Sequence, residues 1–565
     1  MRKQLLPDPV DYMDVQASID RVVSKIRTNI KTGTFSIEIP RGFHVEKSMG
    51  LCRLMVQPSV EEAIILQCLS DKMYSEIKRQ SPSKNAFFEP SDHSFKTTAE
   101  QEYGTFKSWK KFQEEILKFS IENKFVIVTD ISNYYDFIDL VQMRNVITSF
   151  VKVEEPLLDF LLHIVSNLVW RPDFMPPRQI GLPQMDLDAP RLLAHCYLFE
   201  LDKFMEDRSQ KNYARFMDDI DAGVNTIELA KKLLRDTDLV LQSRSLRLNA
   251  GKTKILSASE AYRHFRVKEN RILDGLELRI EKIDGDPKLL TAFFNGLSVV
   301  FERLYTDGKL KEGNGEKIIK RIVGVYNKYK YRIPDALYGH FLKIHPNLRD
   351  VTLRNSSICG FRRIEFLSIL SVFHNGLVCD DYFKLVLAKR LVEGAIEYDG
   401  SEASSILEIL GHYDDKDNLT TYGRLWILSR FGTPKLIYDA VKKSAKVWAN
   451  DSALSRLVAG LLPQLKEDSA IVARFYRLIS DRGLPSAHEL LNFHNELYDG
   501  KHYSRLKAII KSTNNSLPLQ CSHEKLLVIR SILASTALPP AEGTQIRKVH
   551  SGILTERSYD LGGIL

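Results

Sequence analysis

An α+β half followed by an all-α half is the fold class predicted by this sequence of 565 residues. Two observations carry the prediction. Segments with a strand period, or rich in β-branched residues, occur only before about residue 285, between helical ones. Beyond that point amphipathic helices follow one another across short polar turns, in pairs that recur at roughly 35–40 residues without a sharp consensus. Length sets a third bound. At roughly 100–200 residues per domain the chain holds two large units or three to four smaller ones. We divide it into residues 1–285, 286–536 and a tail at 537–565.

Hydrophobic residues make up 44% and charged residues 27%, as in a soluble globular protein with a sizeable core. A net charge of +8 permits nucleic-acid binding without demanding it. The cysteines are Cys52, Cys68, Cys196, Cys359, Cys379 and Cys521, with no C-x-x-C pair. They read as reduced core residues of a cytoplasmic protein without a zinc site. The amino terminus, MRKQLLPDPVDYMDV, lacks the apolar run of a signal peptide. No stretch approaches the ~20 apolar residues of a membrane span.

The elements follow in order. TFSIEIP (34–40) alternates Phe35, Ile37 and Ile39 with polar residues and predicts a strand, with LCRLMV (51–56) as its antiparallel mate. Residues 59–79 predict a helix, with Val60, Ala63, Ile64 and Gln67 at helical spacing. FVIVT (125–129) is β-branched and apolar, a buried strand that ends on Asp130. Helices are expected at 137–150, at 155–170, and at 188–205 with Asp188 as N-cap and Pro190 near its start. YARFMDDIDAGV suits a β-hairpin with the acids at or near its turn. Residues 227–243 predict a helix, and KILSAS and RILDGLELRIE extended segments. After 285 come helices such as RRIEFLSILSVFH, YGRLWILSRF and AIVARFYRLISD, with DGKLKEGNGEK (307–317) a flexible turn. From about 537 the periodicity is lost.

Three Asp-Asp pairs occur, and turns or helix caps explain most such pairs: Asp380-Asp381, and Asp414-Asp415 in the polar GHYDDKD. Asp218-Asp219 differs, because its flanks are apolar and aromatic. If its strand neighbours the one ending at Asp130, three carboxylates converge at one end of a sheet. Such crowding is unfavourable without cations. Two Mg²⁺ ions about 4 Å apart would neutralise it and support in-line phosphoryl transfer.

VTDISNYYDFI resembles motif A of reverse transcriptases, GLPQMDLDAPRLLAHCYLFELD motif B, YARFMDDI motif C and LRLNAGKTKIL motif D, in the family's order and spacing over roughly residues 35–280. The resemblance implies a right-hand polymerase core of fingers and palm. It makes Asp130, Asp218 and Asp219 the ligands of two Mg²⁺ ions, with Mn²⁺ an alternative. Tyr135 is placed as the aromatic gate against a ribose 2′-hydroxyl, although Tyr134 or Tyr135 packing in the core is the competing reading. Pro183 and Gln184 would shape the nucleotide and template pocket. Lys252 matches the motif D lysine that donates a proton to departing pyrophosphate; a solvated turn lysine is the alternative. Arg53, in CRLMVQPS, looks like the fingers arginine that binds triphosphate oxygens, with Lys47 assisting, or else an exposed strand residue.

The chain departs from the family where Met185 stands in place of Gly and Ala189 in place of Ser. Asp186 and Asp188 add negative charge where a template strand passes, which counts against ordinary templated copying. The palm pattern followed by a helical array is similar in architecture to the abortive-infection reverse transcriptases of bacterial antiphage defence. That similarity implies a HEAT-like helical-repeat second half, a homo-oligomer, and DNA made from deoxynucleoside triphosphates without a supplied template and attached to a protein tyrosine, with RNA a further partner. The rival reading is a degenerate palm that serves as a scaffold for RNA or a protein partner. AGKT (250–253) is no phosphate-binding loop, since Leu246 stands where a Gly is required and a strand follows. Neither a G-x-S-x-G elbow nor an H-E-x-x-H helix occurs. Arg547 and His550 are too close for a toxin-type ribonuclease motif, and His374 and His494 read as packed or capping residues.

Overall fold

The computed structural model describes residues 6–88, 106–171, 174, 180–311, 313–396, 400, 402–511, 522–535, 537–555 and 565. Among these residues the protein is mostly helical with two small sheets. Strands β1 (Arg41–Ser48) and β2 (Leu51–Gln57) form an antiparallel hairpin, and β3 (Phe125–Asp130), β4 (Tyr213–Phe216), β5 (Asp219–Val224) and β6 (Lys254–Ser257) form a sheet ordered β4-β5-β3-β6. All pairs in that sheet are antiparallel.

The first hairpin corrects the sequence reading. Residues 34–40 form no strand; the mate of β2 is Arg41–Ser48. The turn decides this. Met49 (φ 51°) and Gly50 (φ 81°) are both left-handed, as a two-residue turn matched to strand twist requires, so Ser48 faces Leu51; the register then shifts by one at Lys47 and runs from Glu46–Cys52 to Arg41–Gln57. Pro40 also removes a ladder donor at the end of the expected strand. The helix Val60–Gln80 forms as expected behind a reciprocal Ser59/Glu62 cap.

Alternation sorts the four-stranded sheet into two faces. Ile127, Ile220 and Ala222 join the core built on helices Val60–Gln80, Leu140–Phe150, Glu155–Leu168 and Asp188–Tyr197. Val126 and Ala214 pack against Phe112, Ile116 and Phe119 of the helix Phe106–Glu122. Gly223 lies on this second face, where a Cβ would come within 2.6 Å of the Asn123 side chain. The single helix expected at 188–205 is two, Asp188–Tyr197 and Phe199–Arg208, and Leu187, not Asp188, holds the N-cap position.

Helices are the regular elements of the described residues from 287 to 555, joined by turns and loops, apart from an isolated bridge between Phe361 and Ile396. The segment RILDGLELRIE is helical, within Val267–Ile283, rather than extended: Leu273 and Ile280 are buried at helical spacing while Leu278 is exposed. The segment expected to lose regular structure after 537 contains the helix Pro540–Thr555, anchored by buried Ile546; residues 556–564 lie outside the described residues. Leu6, Val10, Met13 and Ala17 pack into the core of the helical half, so the amino terminus crosses to it. There Arg456 pairs with Asp8 at 2.5 Å and Asp14 at 2.7 Å.

Among the described cysteines only Cys196 is buried; Cys52, Cys68 and Cys379 are exposed and Cys359 half-buried, so most are not core residues. Cys521 lies outside the described residues. Glu46, Cys379 and Asp380 bring ligand atoms within 4.8 Å of one another, but Arg349 supplies the countercharge, 2.7 Å from Glu46 and 3.5 Å from Asp380. His494 is buried against Ser531, whereas His374 is exposed and pairs with Glu408. Among the described residues no helix is long and apolar enough to cross a membrane.

Glu524 and Glu393 are both buried in the helical core. Burial, reinforced by the Glu393 charge, pushes the Glu524 carboxyl up to about 8 from its ordinary 4.5. Between those values the folded chain holds a proton that the unfolded chain gives up. Stability is therefore lost as pH rises across that window, by up to about 1.4 kcal/mol per unit. Glu524→Gln is expected to flatten the dependence of Tm on pH there, and an undiminished slope in the variant would refute this assignment.

Candidate active site

Three carboxylates meet at one end of the four-stranded sheet. Asp130, the last residue of β3, faces Asp219, the first of β5. Facing Cα atoms in an antiparallel pair lie about 4.5–5.5 Å apart. Asp218 sits beside them in the two-residue turn Met217–Asp218, which joins β4 to β5 while Phe216 pairs with Asp219.

Each acid is held by local structure. The loop 247–253 runs along the end of β3: the Asn249 N–H donates to the Asp130 carbonyl at 2.8 Å, and Ser132 N–H to that of Arg247 at 2.9 Å. The Thr129 and Thr253 hydroxyls bond at 2.6 Å. This fixes the turn from which Lys252 Nζ reaches the Asp130 carboxylate. Met217 takes φ 57°, a costly conformation for a non-glycine residue. Arg215 stabilises it by donating from Nη1 to the Met217 carbonyl at 2.9 Å.

Arg215 and Asp202 are both fully buried and form a two-pronged ion pair, Nε to Oδ1 at 2.7 Å and Nη2 to Oδ2 at 2.6 Å. The Tyr213 hydroxyl also donates to Asp202, at 2.6 Å. His195 stacks on Phe88 at 4.4 Å, and burial, then the Arg215 charge, depresses its pKa and keeps it neutral. No sequence period links Asp202 to Arg215, so this network was not legible beforehand; its one signal is an arginine inside an otherwise apolar strand.

The electrostatics express the crowding. Burial, then the Asp130 charge, raises the Asp218 carboxyl above its ordinary range, against the pull of Lys252 and Arg53. Asp219 is pushed up to about 6 by burial and by its two neighbours, with Lys317 of the helical half opposing. Burial works against the Lys252 charge, but Asp130, Asp218 and Asp219 overcome it and raise its pKa. Asp221, two residues along β5 on the same face, was missed in the sequence. It is 3% exposed, one of its oxygens makes no hydrogen bond, and burial raises its pKa far above the carboxylate range.

The remaining residues singled out in the sequence lie around this cluster. Tyr135 is half-buried, packs edge-on against Tyr134 at 5.8 Å, and has its pKa raised by burial and by the Asp218 charge. Tyr134 is the core tyrosine, its hydroxyl donating to the Ala194 carbonyl. Leu182 N–H donates to the Tyr135 carbonyl at 2.8 Å, Gln184 Nε2 to Asp136 at 3.2 Å, and Val56 N–H to the Gln184 carbonyl at 2.7 Å. Pro183, buried, and Gln184 thus lie on a segment wedged between the short helix Tyr134–Phe137 and β2. Arg53 and Lys47 stand exposed on the first hairpin. The Arg53 charge acts on Asp218, and Lys47, its pKa lowered by burial and by Arg53, feels Asp136 and Asp218.

Three of the four departures have structural explanations. Met185 (5% exposed) and Ala189 (1%) belong to the core beneath the sheet. The negative charge of Asp186 is met by Arg191 at 2.5 Å.

The donors are of the type a hard divalent cation takes, although the three carboxylates do not bring one oxygen each within 4.8 Å of one another as Glu46, Cys379 and Asp380 do. All three acids offer oxygen ligands, and Asp130, 5% exposed, has a buried Oδ1 with no hydrogen bond.

No family model and no curated protein matches this chain. Among solved structures it is similar to telomerase from Candida albicans in complex with a fragment of telomeric RNA, with 10% identity over 69% of this chain and 67% of the other. The TM-score is 0.29, too low for the likeness to inform fold or function.

Proposed function

We propose that the protein is a nucleotidyltransferase of reverse-transcriptase type that adds deoxynucleotides to a primer hydroxyl. The observation that carries this reading is the meeting of Asp130, Asp218 and Asp219 at one sheet end, with Lys252 against Asp130. Asp130, Asp218 and Asp219 would hold Mg²⁺. When bound, the metal supplies activation of the attacking hydroxyl and charge neutralisation at the transferring phosphate. The acids contribute position: the sheet register fixes Asp130 against Asp219, and the Arg215-braced turn fixes Asp218 beside them. Lys252, kept protonated by its acidic surroundings, is the proton donor to the leaving pyrophosphate. Arg53 and Lys47 attract the triphosphate. The resemblance to abortive-infection enzymes extends the proposal to untemplated, tyrosine-attached synthesis by an oligomer in antiphage defence.

The core packing of Met185 and Ala189, which leaves the acids in place, supports the enzyme reading over a degenerate scaffold. Incubating the purified protein with Mg²⁺ and each deoxynucleotide mixture, with and without RNA, and sequencing the product tests the proposal. Absence of any incorporation under all conditions would defeat it.

Tyr135 gives a sharper test of sugar choice. The Asp218 charge acts on its hydroxyl, so the ring is on the acid-cluster side, where a 2′-hydroxyl would meet it. Tyr135→Ala is expected to admit ribonucleotides at least about tenfold better relative to deoxynucleotides, as loss of one steric clash worth about 1.4 kcal/mol implies. Unchanged selectivity would return Tyr135 to a packing role.

A further inference from the structure

The hairpin β1–β2 does not stand free as a movable lid. Its first strand is fixed to the helical half: His44 N–H donates to Asp381 at 3.0 Å, Glu46 N–H to Asp380 at 3.2 Å, and Asn347 Nδ2 to the Lys47 carbonyl at 3.1 Å. Beside these contacts lies a cavity of about 540 Å³ between the hairpin and the helical half. Small-ligand sites span roughly 300–1,000 Å³.

Six charged side chains line this cavity: Glu46, Lys47, Arg53, Asp186, Lys320 and Asp350. The three acids are already satisfied, Glu46 by Arg349 at 2.7 Å, Asp186 by Arg191 at 2.5 Å and Asp350 by Arg390 at 2.7 Å. Among the described residues none of the three cations makes an ion pair within 4.0 Å, although the Lys320 charge acts on Glu316. Unpaired like charges around one cavity repel and await an anion. Two of them, Lys47 and Arg53, also act electrostatically on or with Asp218, although none of Asp130, Asp218 and Asp219 lines the cavity itself.

We propose that Lys320, on the helix Gly315–Lys328 of the helical half, binds the triphosphate of the incoming nucleotide together with Lys47 and Arg53. The nucleotide site is then composite, and the helical half supplies part of it. Lys320 acts as a point charge on a flexible stem, suited to phosphate oxygens whose exact placement differs between substrates. This inference rests on the polymerase reading for the identity of its ligand, but not for the anion site itself.

The test uses the full chain with Mg²⁺ and two probes, inorganic tripolyphosphate and a deoxynucleoside triphosphate. By titration calorimetry the parent binds tripolyphosphate, Lys320→Ala weakens binding by about tenfold, and Lys320→Arg keeps it within a few-fold, as loss or retention of one charge contact predicts. In steady-state incorporation Lys320→Ala raises KM by a similar factor with little change in kcat, because the contact is made before and during transfer alike. Equal binding by the parent and Lys320→Ala, or no binding by the parent, overturns the proposal. Lys320-dependent binding without nucleotide incorporation supports the anion site and counts against the polymerase function instead.

Discussion

Asp218→Asn is expected to abolish nucleotide incorporation, by about a thousandfold or more, while leaving the fold as stable as the parent or slightly more so. The two effects have opposite signs for one physical reason. Asp218 lies half-buried beside two other carboxylates, and burial with the Asp130 charge raises its pKa. In the absence of metal its negative charge is a liability, so a neutral side chain of the same shape relieves repulsion. In the presence of metal the same charge is a ligand. Losing it removes several kcal/mol of transition-state stabilisation, and each ~1.4 kcal/mol is tenfold in rate. Thermal unfolding separates the terms. Mg²⁺ should raise the Tm of the parent, as any ligand of the native state does, and raise that of Asp218→Asn much less. A variant that loses stability without metal, yet still gains as much from Mg²⁺ as the parent, would show that Asp218 is structural and not a ligand.

Asp202→Ala is expected to cost the sheet-bearing half of the chain about 3–5 kcal/mol, the usual penalty for leaving a buried charge without its partner. Arg215 is fully buried, and Asp202 is its only carboxylate partner among the described residues. Arg215 also fixes the Met217 carbonyl, so its displacement should loosen the turn that carries Asp218. Amide hydrogen exchange in the 213–224 hairpin reads both consequences locally. Faster exchange there, larger than in the helical half, is the expected result. Exchange unchanged in the hairpin would mean that Arg215 finds another partner and that the ion pair does not brace the site. Replacing the pair together, Asp202→Leu with Arg215→Met, should recover much of the loss, because no charge is then stranded.

The sequence reading and the folded chain part company in instructive places. In β3 and the β4–β5 hairpin, apolar β-branched runs and a two-residue turn leave little choice, so strand, turn and the position of the acids were legible. RILDGLELRIE misled because Leu276, Leu278 and Ile280 alternate; the helix buries Leu273 and Ile280, and only packing against the helical half selects that period. The helix Pro540–Thr555 likewise shows its face, at Ile546, Val549 and Ile553, only once a surface exists to bury it. In the first hairpin, two left-handed turn residues overruled an alternating run.

What the sequence determined by itself is local: which segments alternate, where an acid ends a strand, which residue pairs fall in a tight turn. Those features depend on neighbours a few residues away, and short-range sterics decide them. The tertiary structure alone decided that Asp130 faces Asp219, that Arg215 finds Asp202, and that Lys320 comes to the cavity holding Lys47 and Arg53. These meetings join residues 13 to 273 positions apart, and they follow from strand register and helix packing, which minimise exposed apolar surface over the whole chain and leave no trace in any short window of sequence.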